Sequence, residues 1–455
     1  MKWFRYLSLF ISIELYGMGL VEYIHQALSQ SYEAQMLRDN AKLSKLNLSS
    51  VVHRYDVVVT PDSALSIDEY GDRVTVGLQG SQANTYGGKI YSSLSTTQSK
   101  STISNRREYS LKSSIGYTQS IFGKFGSQYN TLSLYKVKER EKLSKIEIDE
   151  AKKDIVFWAI SKYYSVILRR EQIAIYNLAT KRAEHNYNSA KAKQEAGIVS
   201  KIDVHRAKLS YLSAKRNEQD ALKNYKNALS EATFFIDSDE KRDIFSEEIK
   251  KVSYRFSIDW DKIIDHSAKW KIIRINEDIL NREIYNANRD MLPDIKVDVK
   301  YHSYSQDDRF RDSLEFDNKS WSLSLSSDYS FDSNDEEIAI ERLKIAKNRI
   351  FQDKKRVRRV IKKEIEELFN EFENIKETLN IERLKEREAR ESLNVAQIRY
   401  ERGLSSNIDV LDAESNMLNA QISSAGALVR YNSAIFRLAK SLNLLDADFV
   451  AEALR

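Results

Sequence analysis

Residues 197–204 read GIVSKIDV, and residues 403–410 read GLSSNIDV. The two stretches lie 206 positions apart, and sliding the chain by that offset keeps matching without a gap. Ala190 meets Ala396, Glu195 meets Glu401, Gly197 meets Gly403 and Asp203 meets Asp409. Further on, Ala207 meets Ala413, Leu212 meets Leu418, Ala214 meets Ala420 and Tyr225 meets Tyr431. The chain is a duplication of a unit of about two hundred residues, too long for a small solenoid repeat.

Each copy holds one long segment without breakers that ends at the matched glycine. No Gly or Pro stands between Gly126 and Gly197, and none between Pro293 and Gly403. Both segments are rich in Lys, Glu, Arg, Ile, Leu and Ala, which form or tolerate helix. At 1.5 Å per residue, about 68 residues make a rod of roughly 100 Å. A second helix follows each glycine, so Gly197 and Gly403 read as the C-cap and turn residues of two helical hairpins. The returning helices carry alanines seven apart, at Ala207, Ala214, Ala221 and Ala228, and again at Ala413, Ala420, Ala427 and Ala434. A sustained heptad imposes left-handed supercoiling, and alanine lets backbones approach closely.

Composition agrees with long elements. The 455 residues contain only 2 prolines and 13 glycines. Lys+Arg 72 against Asp+Glu 67 leaves +5, so the strong basic excess of a nucleic-acid binder is missing. Cys is absent, which excludes disulfides, thiolate metal sites, a Cys nucleophile and a lipid anchor on Cys. Mean hydropathy is −0.54, and past residue 20 the longest apolar run is Ile155 to Ile160, far short of a membrane helix. The first residues differ. Lys2 and Arg5 precede a mostly apolar stretch from Tyr6 to Tyr16, and Gly17 and Gly19 offer a small-residue cleavage site. Residues 1–19 read as a secretory leader, with Glu14 leaving an amphipathic first helix open.

Between the helices the period changes to two. Tyr109, Leu111, Ile115, Tyr117 and Ile121 share one face, with Ser, Lys, Gly and Thr on the other. Trp321, Leu323, Leu325, Tyr329 and Phe331 repeat the pattern in the second copy. An earlier run in each copy alternates likewise, through Val74, Val76 and Leu78 and through Ile295, Val297, Val299 and Tyr301. A soluble sandwich fits, and so does a membrane barrel with a small, hydrated polar face. Four strands cannot close a usable pore, and open edges are forbidden in lipid. If these strands span a membrane, chains must pool them, and three chains give twelve. Val57 to Thr60 and Lys89 to Ser95 are extra strand-like stretches, either an added surface hairpin or periplasmic β-structure.

These residues resemble the TolC-like outer-membrane efflux family. The resemblance is carried by GLSSNIDVLDAESNMLNAQ from Gly403 and GIVSKIDVHRAKLSYLSAK from Gly197. YSLKSSIGYTQSIFGKFG at the strand-to-helix entry and LPDIKV at Leu292 also fit. What the resemblance implies is mainly α structure with membrane β: a duplicated helix–strand–strand–helix repeat. The implied assembly is a homotrimer, its twelve-stranded β-barrel continuous with a long α-helical coiled-coil tunnel. The implied division is a leader over 1–19, a first efflux repeat over 20–236, a linker or equatorial segment over 237–257 and a second repeat over 258–455. The first repeat holds strands at about 73–122 and a hairpin at about 128–235; the second holds strands at about 295–331 and a hairpin at about 335–445. The place would be the cell outer membrane, in contact with its lipid and extending into the periplasm.

The implied function is the channel of a tripartite efflux or type I secretion system. It would be a passive duct for small molecules or proteins, fed by a periplasmic adaptor and an inner-membrane pump of proton-driven or ABC type. The hairpin tips at Gly197 and Gly403 would meet the adaptor. The family's constricting aspartate rings fall on Asp409 and Asp412, three apart and hence on one helix face. On their own chemistry the same carboxylates also fit a helix first turn, where they complement its dipole. The family's gate link falls on Tyr400 and Asp203. A second link is not preserved, since Ser405 and Ile202 stand at its positions. A basic run, Lys354, Lys355, Arg356, Arg358, Arg359, Lys362 and Lys363, reads as a solvated helix face, with contact to peptidoglycan as the sharper alternative.

Nothing in the sequence marks an enzyme, a cofactor or a metal site. The six histidines are scattered, and no P-loop, dinucleotide fingerprint or nucleophile elbow occurs. Two other classes remain open: a non-transporting coiled-coil structural protein of the cell envelope, and a secreted helical toxin with an inserting hairpin. Lipid-facing Trp321 and Tyr329 are what a scaffold would not need.

Overall fold

The computed structural model describes residues 18–69, 71–101, 106–238, 248–316 and 318–454. The leader expected over 1–19 lies outside the described residues except for Met18 and Gly19, as does 239–247 of the expected linker. In chain order come α1 (Leu20–Gln30), α2 (Tyr32–Val52), β1 (Val58–Asp68), β2 (Gly71–Ala83), β3 (Gly88–Ser101) and β4 (Arg107–Ser120). Then follow α3 (Ser127–Asn130), α4 (Leu132–Glu195), α5 (Lys201–Phe235), α6 (Trp260–His266) and α7 (Ala268–Asp290). The second copy continues with β5 (Asp294–Asp307), β6 (Asn318–Asp328), α8 (Asn334–Glu401), α9 (Asn407–Ser441) and α10 (Ala447–Ala453). No described helix is long and apolar enough to cross a membrane. The chain divides into two compact units, one of Met1–Asp39, Glu147–Ser267 and Arg358–Arg455, the other of Asn40–Ile146 and Ala268–Val357.

The second unit contains a six-stranded antiparallel meander in the order β1-β2-β3-β4-β5-β6. The expectation of four strands is thereby corrected. Val57 to Thr60 and Lys89 to Ser95 belong to two full strands, β1 and β3, in register with the rest. Their alternation is weak in sequence for a physical reason. Pro61 and Asp62 interrupt β1, and Ser92, Thr96 and Gln98 dilute the apolar face of β3. Polar contacts tie α3 to α7 and the end of β4 to the start of β5. Asn286 Nδ2 donates to the Tyr129 carbonyl at 2.9 Å, the Tyr129 hydroxyl donates to Asp290, and Ser120 donates to Asp294, which Lys296 pairs at 2.9 Å. These residues bring together the two segments, SIGYTQSIFGKFG and LPDIKV, that lie far apart in sequence.

The first unit holds the apolar core. The run Ile155 to Ile160 supplies its centre: Ile155, Val156, Ala159 and Ile160 are buried, whereas Trp158 stays exposed. Ile24 and Ala27 of α1, Ile435 and Phe436 of α9 and Val450 of α10 pack into the same cluster. The Tyr23 hydroxyl enters this core because it donates to the Ala232 carbonyl at 2.7 Å. Residues 248–259, described but in no helix or strand, are fastened by Asn432. Its Oδ1 accepts from Val252 N at 3.0 Å, and its Nδ2 donates to Lys250 O at 2.8 Å. A fully buried amide is thus satisfied on both sides, as burial requires. The heptad alanines do what their spacing predicts. Ala207, Ala221, Ala413, Ala427 and Ala434 are buried, and Ala214, Ala228 and Ala420 are half-buried.

Helices α6 and α7 occupy the helical position that the helix–strand–strand–helix repeat places ahead of the strands, where the sequence reading gave no bounds. The basic run lies on α8. Lys354 pairs with Glu277 at 2.6 Å, Lys363 pairs with Glu367 at 3.5 Å, and Lys362 lies over the Trp260 ring. Most of its other members are exposed, as on a solvated helix face.

Candidate gate at the helical tips

Each hairpin tip is built by the same two devices, as the duplication requires. The first ends the long outgoing helix. Gly197 has φ +76° and Gly403 φ +71°, a left-handed conformation that side-chain-bearing residues rarely adopt. The N–H of Ile198 bonds the Lys193 carbonyl at 2.8 Å, and that of Leu404 bonds the Arg399 carbonyl at 2.8 Å. With the bonds from Gly197 to Gln194 and from Gly403 to Tyr400, each end is a Schellman motif.

The second device starts the returning helix. Ser200 and Asp203 form a capping box on α5, and Ser406 and Asp409 form its twin on α9. The Ser406 N–H donates to Asp409 Oδ2 at 2.8 Å, and the Ser406 hydroxyl donates to the same oxygen at 2.9 Å. These bonds hold the Asp409 carboxyl below the usual carboxylate range. Asp409 therefore has a structural task within its own helix. Asp412, one turn on, is exposed, and no hydrogen bond or ion pair engages it among the described residues. The two residues do sit at i and i+3 of α9.

Tyr400 and Asp203 lie near each other without a hydrogen bond between their side chains. The Tyr400 hydroxyl is buried and unpartnered. Burial pushes its pKa up, and the negative charge of Asp203 pushes the same way. Asp203 spends its carboxylate on Ser200, at 2.6 Å from the hydroxyl. Two other contacts join the tips. Lys193 Nζ donates to the Tyr400 carbonyl at 2.8 Å and sits over its ring, and Asn407 Nδ2 donates to the Asp203 carbonyl at 3.3 Å. At the unpreserved second link, the Ser405 hydroxyl reaches only the Ala396 carbonyl at 3.5 Å, and Ile202 is exposed.

Sequence reasoning missed several residues here. The S-x-x-D spacing of both capping boxes was legible. So was the apolar character of the tips: Ile198 and Leu404, and Ile202 and Ile408, are exposed at matching repeat positions. Behind the tips a cavity of about 380 Å³ is lined by Arg182, His185, Asn186, Tyr400 and Glu414, among others. Burial raises the Glu414 carboxyl to about 7, against the opposing pull of Arg182. Arg182 Nε and Nη2 and Asn186 Nδ2 are buried without partners. No sequence signal reveals this cluster, because Arg182 and Glu414 belong to different copies of the repeat.

Residues 273–444 match the family model described as outer membrane efflux protein. Among curated proteins no sequence match is found. Solved structures share the fold over nearly the whole chain. CusC superposes with a TM-score of 0.74 at 10% identity, covering 93% of this chain and 91% of that one. VceC from Vibrio cholerae gives 0.71 at 13% identity, with 93% and 96% covered. The MtrE outer membrane channel of Neisseria gonorrhoeae, in its open state, gives 0.72 at 14% identity, with 93% and 88% covered. With the duplicated tips and the efflux-protein match in agreement, residues 273–444 carry the likeness to outer membrane efflux proteins, and the whole chain has the fold of the solved outer-membrane channels.

Proposed function

We propose that three copies of this chain form the outer-membrane exit duct of a tripartite efflux or type I secretion system. The observation that carries this is the sheet of the second unit. One face bears an exposed apolar band that includes Trp321, Leu323, Leu325, Val299 and Ile115, and the opposite face is mostly Ser, Thr, Lys and Asp. Both edges, β1 and β6, are unpaired among the described residues. In lipid such edges must be closed by other copies. The pooled strands form a barrel, and the long helices continue it as a coiled-coil tunnel. A scaffold without transport has no use for an apolar sheet face of this extent.

The tips meet a periplasmic adaptor through Gly197, Gly403 and the exposed apolar pairs beside them. An inner-membrane pump, proton-driven or of ABC type, supplies the energy, because the duct is passive. The cargo is a small molecule or a protein. Asp412 and the capped Asp409 place two carboxylates per copy at the opening, where rings of negative charge favour cations. Tyr400 and Asp203 act in the gate between hairpins. The basic run on α8 offers peptidoglycan a cationic helix face. Reconstitution in planar bilayers tests the proposal: it predicts a passive, cation-preferring pore. Protein that inserts and does not conduct contradicts it.

A further inference from the structure

The second copy of the repeat places two strands between its helices, and the first copy places four. The register shows where the surplus goes. At one end of the sheet Val58 pairs with Ser81, Ala83 with Lys89, Gly88 with Gln119 and Asp294 with Asp328. At the other end Asp68 pairs with Gly71, Gly71 with Ser101, Lys100 with Arg107 and Tyr304 with Asn318. The strands begin and end at matching levels. β1 has 11 residues, as many as β6, and 9–11 tilted residues suffice to cross a bilayer.

The faces agree as well. Paired residues share a face, so Leu65, Val74, Val76 and Leu78 continue the apolar band of β4 to β6 across the first strands. The polar face is stitched across all six. Gln79 Nε2 donates to Asp62 at 2.9 Å, the Thr75 and Thr97 hydroxyls meet at 2.9 Å, and those of Ser93 and Ser114 at 2.8 Å. The Tyr91 hydroxyl passes over Gly116 to donate to Asp298 at 2.9 Å, and the His302 ring meets Ser320 at 2.6 Å. A Cβ at Gly116 would stand 2.3 Å from the Tyr91 ring, so that crossing needs glycine. A hairpin lying in water outside a barrel has no reason to keep one apolar and one polar face at bilayer height.

We infer that all six strands are barrel wall, with β1 of one copy pairing β6 of the next, so that the trimer closes eighteen strands rather than twelve. The inference rests on the trimeric-channel proposal and extends it. With neighbouring strands about 4.8 Å apart and tilted about 40°, twelve strands close at a backbone diameter of about 24 Å and eighteen at about 36 Å. Eighteen strands is a number that leaves an aqueous channel in porins. The membrane mouth then does not limit cargo size, and selection falls to the periplasmic tips. Pro61 lacks an N–H and removes one rung from β1, leaving the remainder of the strand to pair.

The cysteine-free chain makes the test direct. Single cysteines at Thr60 in β1 and at Ser320, Ser322 or Ser324 in β6 are combined in pairs and oxidised in intact outer membranes. Expected are covalent dimers and trimers for one β6 position with Thr60, and none when Ser95 of β3 replaces Thr60. Cross-links from β6 to Ser95 overturn the inference. A native trimer without Thr60 cross-links also overturns it and leaves the channel proposal standing, whereas a monomer defeats both. Polymer exclusion in bilayers gives a second readout. Neutral polymers entering from the outer face should be admitted to about 1.5 times the diameter expected for a twelve-stranded mouth, and exclusion at the smaller size overturns the inference.

Discussion

The Lys193 ammonium lies 3.7 Å from the centre of the Tyr400 ring and donates to the Tyr400 carbonyl at 2.8 Å. The two residues are 207 positions apart, on the outgoing helices of the two repeats. A cation over a ring contributes about 0.5–2 kcal/mol, depending on desolvation. Lys193→Met should loosen the contact between the outgoing helices. The expected outcome is more frequent spontaneous opening of single channels, with assembly unchanged. Unchanged open probability removes Lys193 from the gate.

The twin capping boxes separate two roles for the tip aspartates. Ser406→Ala should destabilise the start of α9 by about 1 kcal/mol, and Ser200→Ala that of α5 by a similar amount. Asp412→Asn removes charge without touching a cap, so it should lower cation selectivity while leaving tip hydrogen exchange unchanged. Asp409→Asn should alter both. Equal effects of the two aspartate substitutions on exchange and selectivity would contradict this division.

Glu414 introduces a pH dependence with a defined sign. Its carboxyl is raised from 4.5 to about 7 by burial, so the folded tip holds its proton over a range where the unfolded chain does not. The tip's stability is fully present below about pH 4.5 and is lost as pH rises through about 7. The size is on the order of 3 kcal/mol. Protection factors of amides around residues 405–421, taken relative to the base-catalysed intrinsic rate at each pH, should therefore be larger at pH 5.5 than at pH 8. Glu414→Gln should give equally high protection at both, and wild-type protection factors flat in pH would refute the assignment.

Strand β2 offers a test by charge. Leu78→Arg places a cation on the apolar face near mid-strand, where a lipid-facing wall is destabilised by about 2–4 kcal/mol. Gln79→Arg points to the polar face and can pair with Asp62. Heat-modifiable trimers should be lost with the first substitution and kept with the second. Equal tolerance would place β2 in water.

The sequence made the helical hairpins legible because their signals are local and doubled. Gly197 and Gly403 mark the ends, the heptad alanines mark the buried stripe, and two registers check each other. The strands were legible only where alternation was clean, as from Trp321 to Leu325. β1 and β3 carry Pro61, Ser63, Ser92 and Thr96 where large apolar residues would have announced them, and only pairing with β2 and β4 fixes their place. The gate was legible as residue types and not as contacts. Asp409 fits both a ring of charge at an opening and a first-turn carboxylate on the helix dipole, and its bonds to Ser406 follow from the S-x-x-D spacing. Lys193 with Tyr400, and Arg182 with Glu414, join residues of the two repeats and leave no trace in local pattern.

Closure by three copies is the claim on which the rest depends, and native mass spectrometry of the protein extracted from outer membranes measures it directly. The expected result is a species near three times the 52.8 kDa chain, less any cleaved leader, that survives mild detergent. A folded single copy, recovered free of lipid from the soluble fraction, would contradict it.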